Sequence, residues 1–171
     1  MAFSLTIDTA DLDNPILCSL TTTGSASALH RPGYKTNCAD GRTFMYVYND
    51  SSGIAAVAGA PAAWFITTTD TAKGLGYACV TPDLSDGGLC SVGAFLSILA
   101  ETYYGWIQNR GLLVDAPVSD GAGAEIAASD AVGATTDLLW TKITVGGTTE
   151  TGGVALMAGS SGYANIHLLP A

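Results

Sequence analysis

The side chains able to do chemistry are few and far apart. The two histidines are His30 and His167. His167 stands in an apolar terminal stretch, and spacing assigns it no Ser or Cys nucleophile and no carboxylate partner, so a nucleophilic relay is not indicated. Its expected role is structural, at a sheet edge or a subunit seam. The acidic turn Asp83-Leu84-Ser85-Asp86-Gly87-Gly88 has part of a calcium loop's composition. It lacks the EF-hand spacing and the distal Glu, and reads as an Asx turn. Asp11 with Asp13, and Asp115 with Asp120, are carboxylate pairs of the kind a glycosidase uses, but such an enzyme needs a long aromatic-lined cleft around them. Trp64, Trp106 and Trp140 could line a sugar site, and as core residues they need no such explanation. The P-loop, the GxGxxG turn, HExxH and GxSxG are all absent from the sequence. The expectation is a protein that is not an enzyme and holds no cofactor or metal.

The remaining polar feature of note is Asp40-Gly41-Arg42. Gly41 permits a tight turn, and Arg42 can pair with a nearby carboxylate or carbonyl. Its functional reading is a contact across a subunit boundary. Cys18, Cys38, Cys79 and Cys90 form neither a CxxC pair nor a Cys/His zinc pattern. They read as buried thiols, with Cys79 and Cys90 the pair that a disulfide could close.

Composition limits the partners. The net charge is −9, with only six Lys and Arg among 171 residues and no basic cluster. Recognition of nucleic acid through phosphates is therefore not expected, nor is an anionic membrane surface. No run of 18 apolar residues is present, so no membrane-spanning helix is expected. The first residues lack a basic segment followed by an apolar one, which predicts folding in a cytoplasm. Charged residues are 12% and hydrophobic ones 48%. A chain with a large core and so few charges suits burial between subunits.

The elements that must position these residues are short strands. Residues 1–36 read as an extended arm. Within it Asp13-Asn14-Pro15 can cap a short helix, and Arg31-Pro32-Gly33-Tyr34 is a turn signal. The core domain is expected over 37–171, with a loop-rich insert at about 60–100. Residues 42–48 alternate so that Phe44, Tyr46 and Tyr48 share one face and Thr43, Met45 and Val47 the other. Both faces are mostly apolar, which predicts burial on both sides. Further strands are expected at 62–67, 77–80, 104–109 (ended by Gly111), 112–118, 138–145, 153–157 and 164–169. Residues 92–100 fit a helix or a strand, and 131–136 read as a loop. Strands at this spacing predict a mainly β fold, a small barrel or sandwich of β-tulip-like or jelly-roll-like type with the arm attached.

Three segments, in order, resemble small structural proteins of tailed-bacteriophage heads. Ala39-Asp40-Gly41-Arg42-Thr43-Phe44-Met45-Tyr46-Val47-Tyr48 is similar to their opening DGR-aromatic-Tyr-Val strand. Tyr104-Gly105-Trp106-Ile107-Gln108 with Gly111 resembles their YGWVQ…G strand. Gly153-Val154-Ala155-Leu156 followed by Ala164-Asn165-Ile166-His167-Leu168-Leu169 resembles their closing pair. The resemblance covers roughly residues 36–170 and departs from the simplest members in the 60–100 stretch. It implies a capsid decoration, or cement, protein on the outside of an expanded icosahedral shell. Such a protein is a virion component, usually a homotrimer, and clamps neighbouring major capsid subunits. On that reading the arm and adjacent loops make partner contacts, with Asp13, Pro15, Arg31, Tyr34 and Arg42 as candidates. The alternatives are another phage structural component, such as a tail-tube, neck or head-fibre protein, and a carbohydrate-binding adhesin domain.

Overall fold

The computed structural model describes residues 24–50, 54–65, 78–83, 91–119, 126–136, 138–143, 151–157 and 162–169. Among them the fold is mainly β. Ten strands run in chain order: β1 Lys35–Asn37, β2 Thr43–Asn49, β3 Pro61–Trp64, β4 Cys79–Thr81, β5 Ser91–Phe95, β6 Tyr104–Pro117, β7 Ala131–Thr136, β8 Leu139–Lys142, β9 Gly153–Ala155 and β10 Tyr163–Leu168. Their lateral order is β1-β2-β4-β3-β5-β6-β10-β9-β7-β8, and a further pairing joins β2 to β6. That pairing closes β2, β4, β3, β5 and β6 into a five-stranded barrel. The β2–β4 pair is parallel and the other barrel pairs are antiparallel.

Five strands enclose less space than the eight that just admit ordinary side chains. The sequence meets this limit with alanine. Ala56, Ala60 and Ala62 are fully buried beside Met45, Val47, Val80, Val92, Phe95, Leu99 and Ile107. Glycine does the rest where backbones must touch. A Cβ on Gly93 would lie 2.3 Å from the Gln108 carbonyl oxygen, so only glycine lets β5 approach β6 this closely. The stretch read as a loop-rich insert thus supplies three barrel strands, β3 to β5. The ambiguity over 92–100 resolves as strand up to Phe95, followed by a turn into β6.

Strand β6 joins the two halves of the molecule. Gly111 was expected to end a strand there; instead one 14-residue strand runs through it. Gly111 has φ 93°, and a Cβ would sit 3.1 Å from Arg42 Cα. The residue therefore bends the strand without stopping it. Gln108, 1% exposed, spans the bend: its Nε2 donates to the carbonyls of Arg110 (3.2 Å) and Leu112 (2.9 Å). Beyond the bend, β6 leaves the barrel and pairs with β10.

The second sheet, β6-β10-β9-β7-β8, packs around Leu113, Ala116, Val118, Ile126, Val132, Trp140, Ala155, Ala164, Ile166 and Leu168, and Ala94 of β5 joins this cluster from the barrel. It curls far enough that Val118, just past β6, bridges Trp140 on β8. The stretch 131–136, expected as a loop, is strand β7 and pairs with both β8 and β9. Val132, Thr135 and Thr136 favour a strand while Ala131, Gly133 and Ala134 do not, and pairing on both sides decides the conformation. Among the described residues, two hydrogen bonds from this sheet to the barrel add to that packing. Trp140 Nε1 donates to the Gly59 carbonyl, and Ala134 N donates to Ser91 Oγ at 2.7 Å.

Candidate interaction surface

The expected site residues divide between two places. Asp13 and Pro15 lie outside the described residues, as do Cys18 and Cys90 and the acidic turn from Leu84 to Gly88. Arg31, Tyr34 and Arg42 all lie near the outer face of β2 and β6. Of the expected arm, residues 24–36 are hydrogen-bonded to the barrel. Ser25 and Tyr104 exchange two backbone bonds of 2.8 Å, and Gly33 N donates to the Tyr46 carbonyl at 2.7 Å. Strand β1 then pairs with β2 from Lys35↔Met45 to Asn37↔Thr43.

This strap, residues 24–34, covers an aromatic layer. Phe44, Tyr46 and Tyr48 on β2 point away from the barrel interior and are buried, as is Trp106 on β6. His30 lies 5.2 Å from the Tyr46 ring and 5.3 Å from that of Trp106, and Tyr34 stands edge-on to Trp106 at 6.2 Å. The Tyr46 hydroxyl accepts a bond from Leu29 N. Burial raises the Tyr46 pKa above the ordinary phenol value, against the smaller lowering effect of that bond. The expectation that 42–48 is buried on both sides is met: Met45 and Val47 fill the barrel, while on the other face Tyr46 lies under the strap, Phe44 packs with Cys38, Leu96 and Trp106, and Tyr48 packs with Cys79 and Tyr104.

Arg42 is accounted for locally. Its backbone N and its Nε both donate to the Asp40 carboxylate, and its guanidinium lies 5.5 Å from the Phe44 ring centroid. Gly41, at φ 86°, makes the turn between β1 and β2. The tryptophans are largely interior: Trp106 is 4% exposed and Trp140 0%, while Trp64 packs partly buried against the barrel core. Cys38 and Cys79 are both buried. His167 is exposed on β10, opposite Leu112 on one side and Val154 on the other. Its cross-strand neighbours are thus apolar and supply neither a nucleophile nor a carboxylate. Among the described residues, no group of three or more His, Cys, Asp and Glu could hold a metal ion.

What residue-by-residue reading missed is the outward face of the second sheet. Antiparallel sheets with one solvated face usually put polar residues outward. Here Leu112, Val114, Leu156, Met157, Tyr163 and Leu169 are all exposed, between 38% and 57%. They are contiguous. Leu112 faces His167, which faces Val154. Leu156 N donates to the Asn165 carbonyl, and Asn165 Nδ2 donates to Met157 Sδ. A β-bulge at Val114 and Asp115 sets these two residues against Asn165, whose Oδ1 accepts from Asp115 N. The visible signal was the unbroken apolar run Leu112-Leu113-Val114, which supplies both a core face and an outer one.

Comparison with protein-family models, with curated proteins and with solved structures returns no match for this chain.

Proposed function

We propose that this chain is a structural accessory protein of a tailed-phage head, which binds the outside of the expanded shell and clamps neighbouring major capsid subunits. One observation carries the reading furthest. The three segments that resemble phage decoration proteins lie on β2, β6, β9 and β10: Phe44–Tyr48 pairs with Tyr104–Gln108 in the barrel, and the closing pair joins the same β6 from Gly111 onward. Segments some fifty residues apart in the chain are thus linked through one strand, which favours a common fold. Low charge and a solvent-facing apolar sheet favour a protein that works by contact.

The mechanism follows from multivalency. One copy offers a modest contact area, whereas copies gathered at a three-fold position engage several capsid subunits, each later contact forming at high effective concentration. Preference for the expanded lattice stabilises that lattice by linkage. The test is to mix purified protein with undecorated expanded heads and with unexpanded procapsids, then image both. Added density at three-fold positions of expanded heads alone is the expected result. No density on either particle, or equal occupancy of both, overturns the proposal.

A further inference from the structure

We infer that the outward face of β6, β10 and β9 is a contact between two copies of this chain, related by a two-fold axis that lies in the plane of the contact and runs across β6. The inference needs only the chain's own surface and stands apart from the capsid reading. Half-exposed Tyr163 offers on the order of 100 Å², and each half-exposed aliphatic residue somewhat less. The six, with His167, Asn165 and Val154 among them, make a face on the order of 700 Å², within the range that one partner contributes to a standard-size interface. Single exposed apolar residues are ordinary, but a contiguous patch of this size marks a binding surface.

Charge selects the occupant. Each copy carries a net −9, so two copies repel unless they meet where charge is sparse or self-complementary. This face is both. Its centre, formed by Leu112, Val114, Val154, Leu156 and Asn165, carries no Asp, Glu, Lys or Arg. Arg110 lies exposed just before Leu112 on β6, and Asp115 lies exposed at the other end of the patch. Among the described residues neither side chain enters an ion pair. They are separated by roughly 15 Å along the strand. A two-fold axis between them sets β6 antiparallel to its symmetry mate, which brings Arg110 of each copy against Asp115 of the other. Two identical ion pairs then flank one apolar centre, the arrangement an isologous contact requires. An unrelated acidic or basic partner would leave one of the two charges opposed by its own sign.

The test is sedimentation equilibrium of the full chain across a concentration series at neutral pH. Wild type is expected to form dimers, or an oligomer with an even number of copies if another surface also associates. Arg110→Glu sets acid against acid twice and is expected to raise the dissociation constant at least about tenfold. Adding Asp115→Arg to the same chain restores opposite pairing and should recover most of the loss. Leu112→Lys at the centre of the face should abolish the contact, and circular dichroism reports whether each variant keeps its β signal. A monomer at the highest concentration, an odd-numbered oligomer, or association indifferent to all three changes overturns the inference. Failure of the double reversal to rescue overturns the two-fold geometry. A trimer alone would sink this contact and leave the capsid proposal standing.

Discussion

The indole Nε1 of Trp140 donates a hydrogen bond of 2.9 Å to the carbonyl of Gly59, across 81 positions of sequence. Trp140 is fully buried in the core of the second sheet, while Gly59 belongs to the turn that leads into β3 of the barrel. One side chain therefore fills one half of the molecule and docks it on the other. Trp140→Phe keeps much of the apolar volume, leaves the Gly59 carbonyl unpaired and opens a small cavity. The expected cost is about 2–3 kcal/mol. Chemical denaturation should show a lower midpoint, and any separation of the two halves into distinct transitions would appear in this variant first. An unchanged midpoint would show that the bond does not couple the sheets.

The closeness of β5 to β6 gives a sharper prediction. In Gly93→Ala the new methyl meets the Gln108 carbonyl oxygen at 2.3 Å, and the backbone φ of 156° disfavours a side chain as well. The Gln108 carbonyl and the Asn109 Cα, 3.0 Å away, are both backbone, so a barrel strand must move. A loss of at least about 2 kcal/mol is expected. A control at Gly41 separates crowding from backbone strain, because a Cβ there meets nothing within 4 Å and φ is 86°. Gly41→Ala should cost about 1 kcal/mol, from conformation alone. Equal losses at the two positions would contradict the packing argument.

Much of the barrel was legible because alternation is a local signal. Phe44, Tyr46 and Tyr48 against Met45 and Val47 announce a strand buried on both sides, and β2 is one. Gly111 was not legible, because a glycine that turns a chain and one that bends a continuous strand have the same local sequence. What distinguishes them is the Arg42 backbone 3.1 Å from the missing Cβ, a contact with residues some seventy positions away. The strand character of 131–136 was hidden for a related reason: Val132 and the two threonines favour a strand, but Ala131, Gly133 and Ala134 do not, and pairing with β8 and β9 decides the outcome. The interaction face was half legible. Leu112-Leu113-Val114 signals strand, but which of its residues faces out depends on the bend at Gly111 and the bulge at Val114 and Asp115.

A strained turn before β6 predicts a stabilising change. Thr102 has φ 61°, which a β-branched residue adopts only at a cost. The turn is held from below: Thr102 N donates to the Asn49 carbonyl at 2.8 Å, and Asn49 Nδ2 donates to the carbonyls of Leu99 (3.0 Å) and Ala100 (3.2 Å). Asn49 is fully buried, so these bonds force the conformation on Thr102. Thr102→Asn puts a residue tolerant of the left-handed region there and should add about 1 kcal/mol. Asn49→Ala removes the brace and should lower stability by about 1 kcal/mol, because the Leu99 and Ala100 carbonyls lose the amide but keep the backbone donors Ala56 N and Tyr103 N. Thermal melts of both variants, moving in opposite directions, are the expected outcome. A destabilised Thr102→Asn would mean that the threonine side chain has a packing role that outweighs its backbone cost.

The strap should respond to alkaline pH through Tyr46. Burial raises the folded-state pKa of its phenol above the unfolded value near 10. The neutral phenol is therefore the form the fold favours. Its contribution is fully present below about pH 10 and is lost as pH rises through the folded pKa. Because the Tyr46 hydroxyl accepts from Leu29 N beside the His30–Trp106 contacts, ionisation is expected to loosen residues 24–34 before the barrel opens. Tyr46→Phe removes this titration. At neutral pH the variant should be less stable than wild type by about 1 kcal/mol, because Leu29 N loses its acceptor. Between pH 10 and 12 the gap should close or reverse, since only wild type must ionise a buried phenol. Melting temperatures of both proteins across that range, with limited proteolysis near residues 24–34, test the coupling. Parallel pH profiles would show that Tyr46 does not hold the strap.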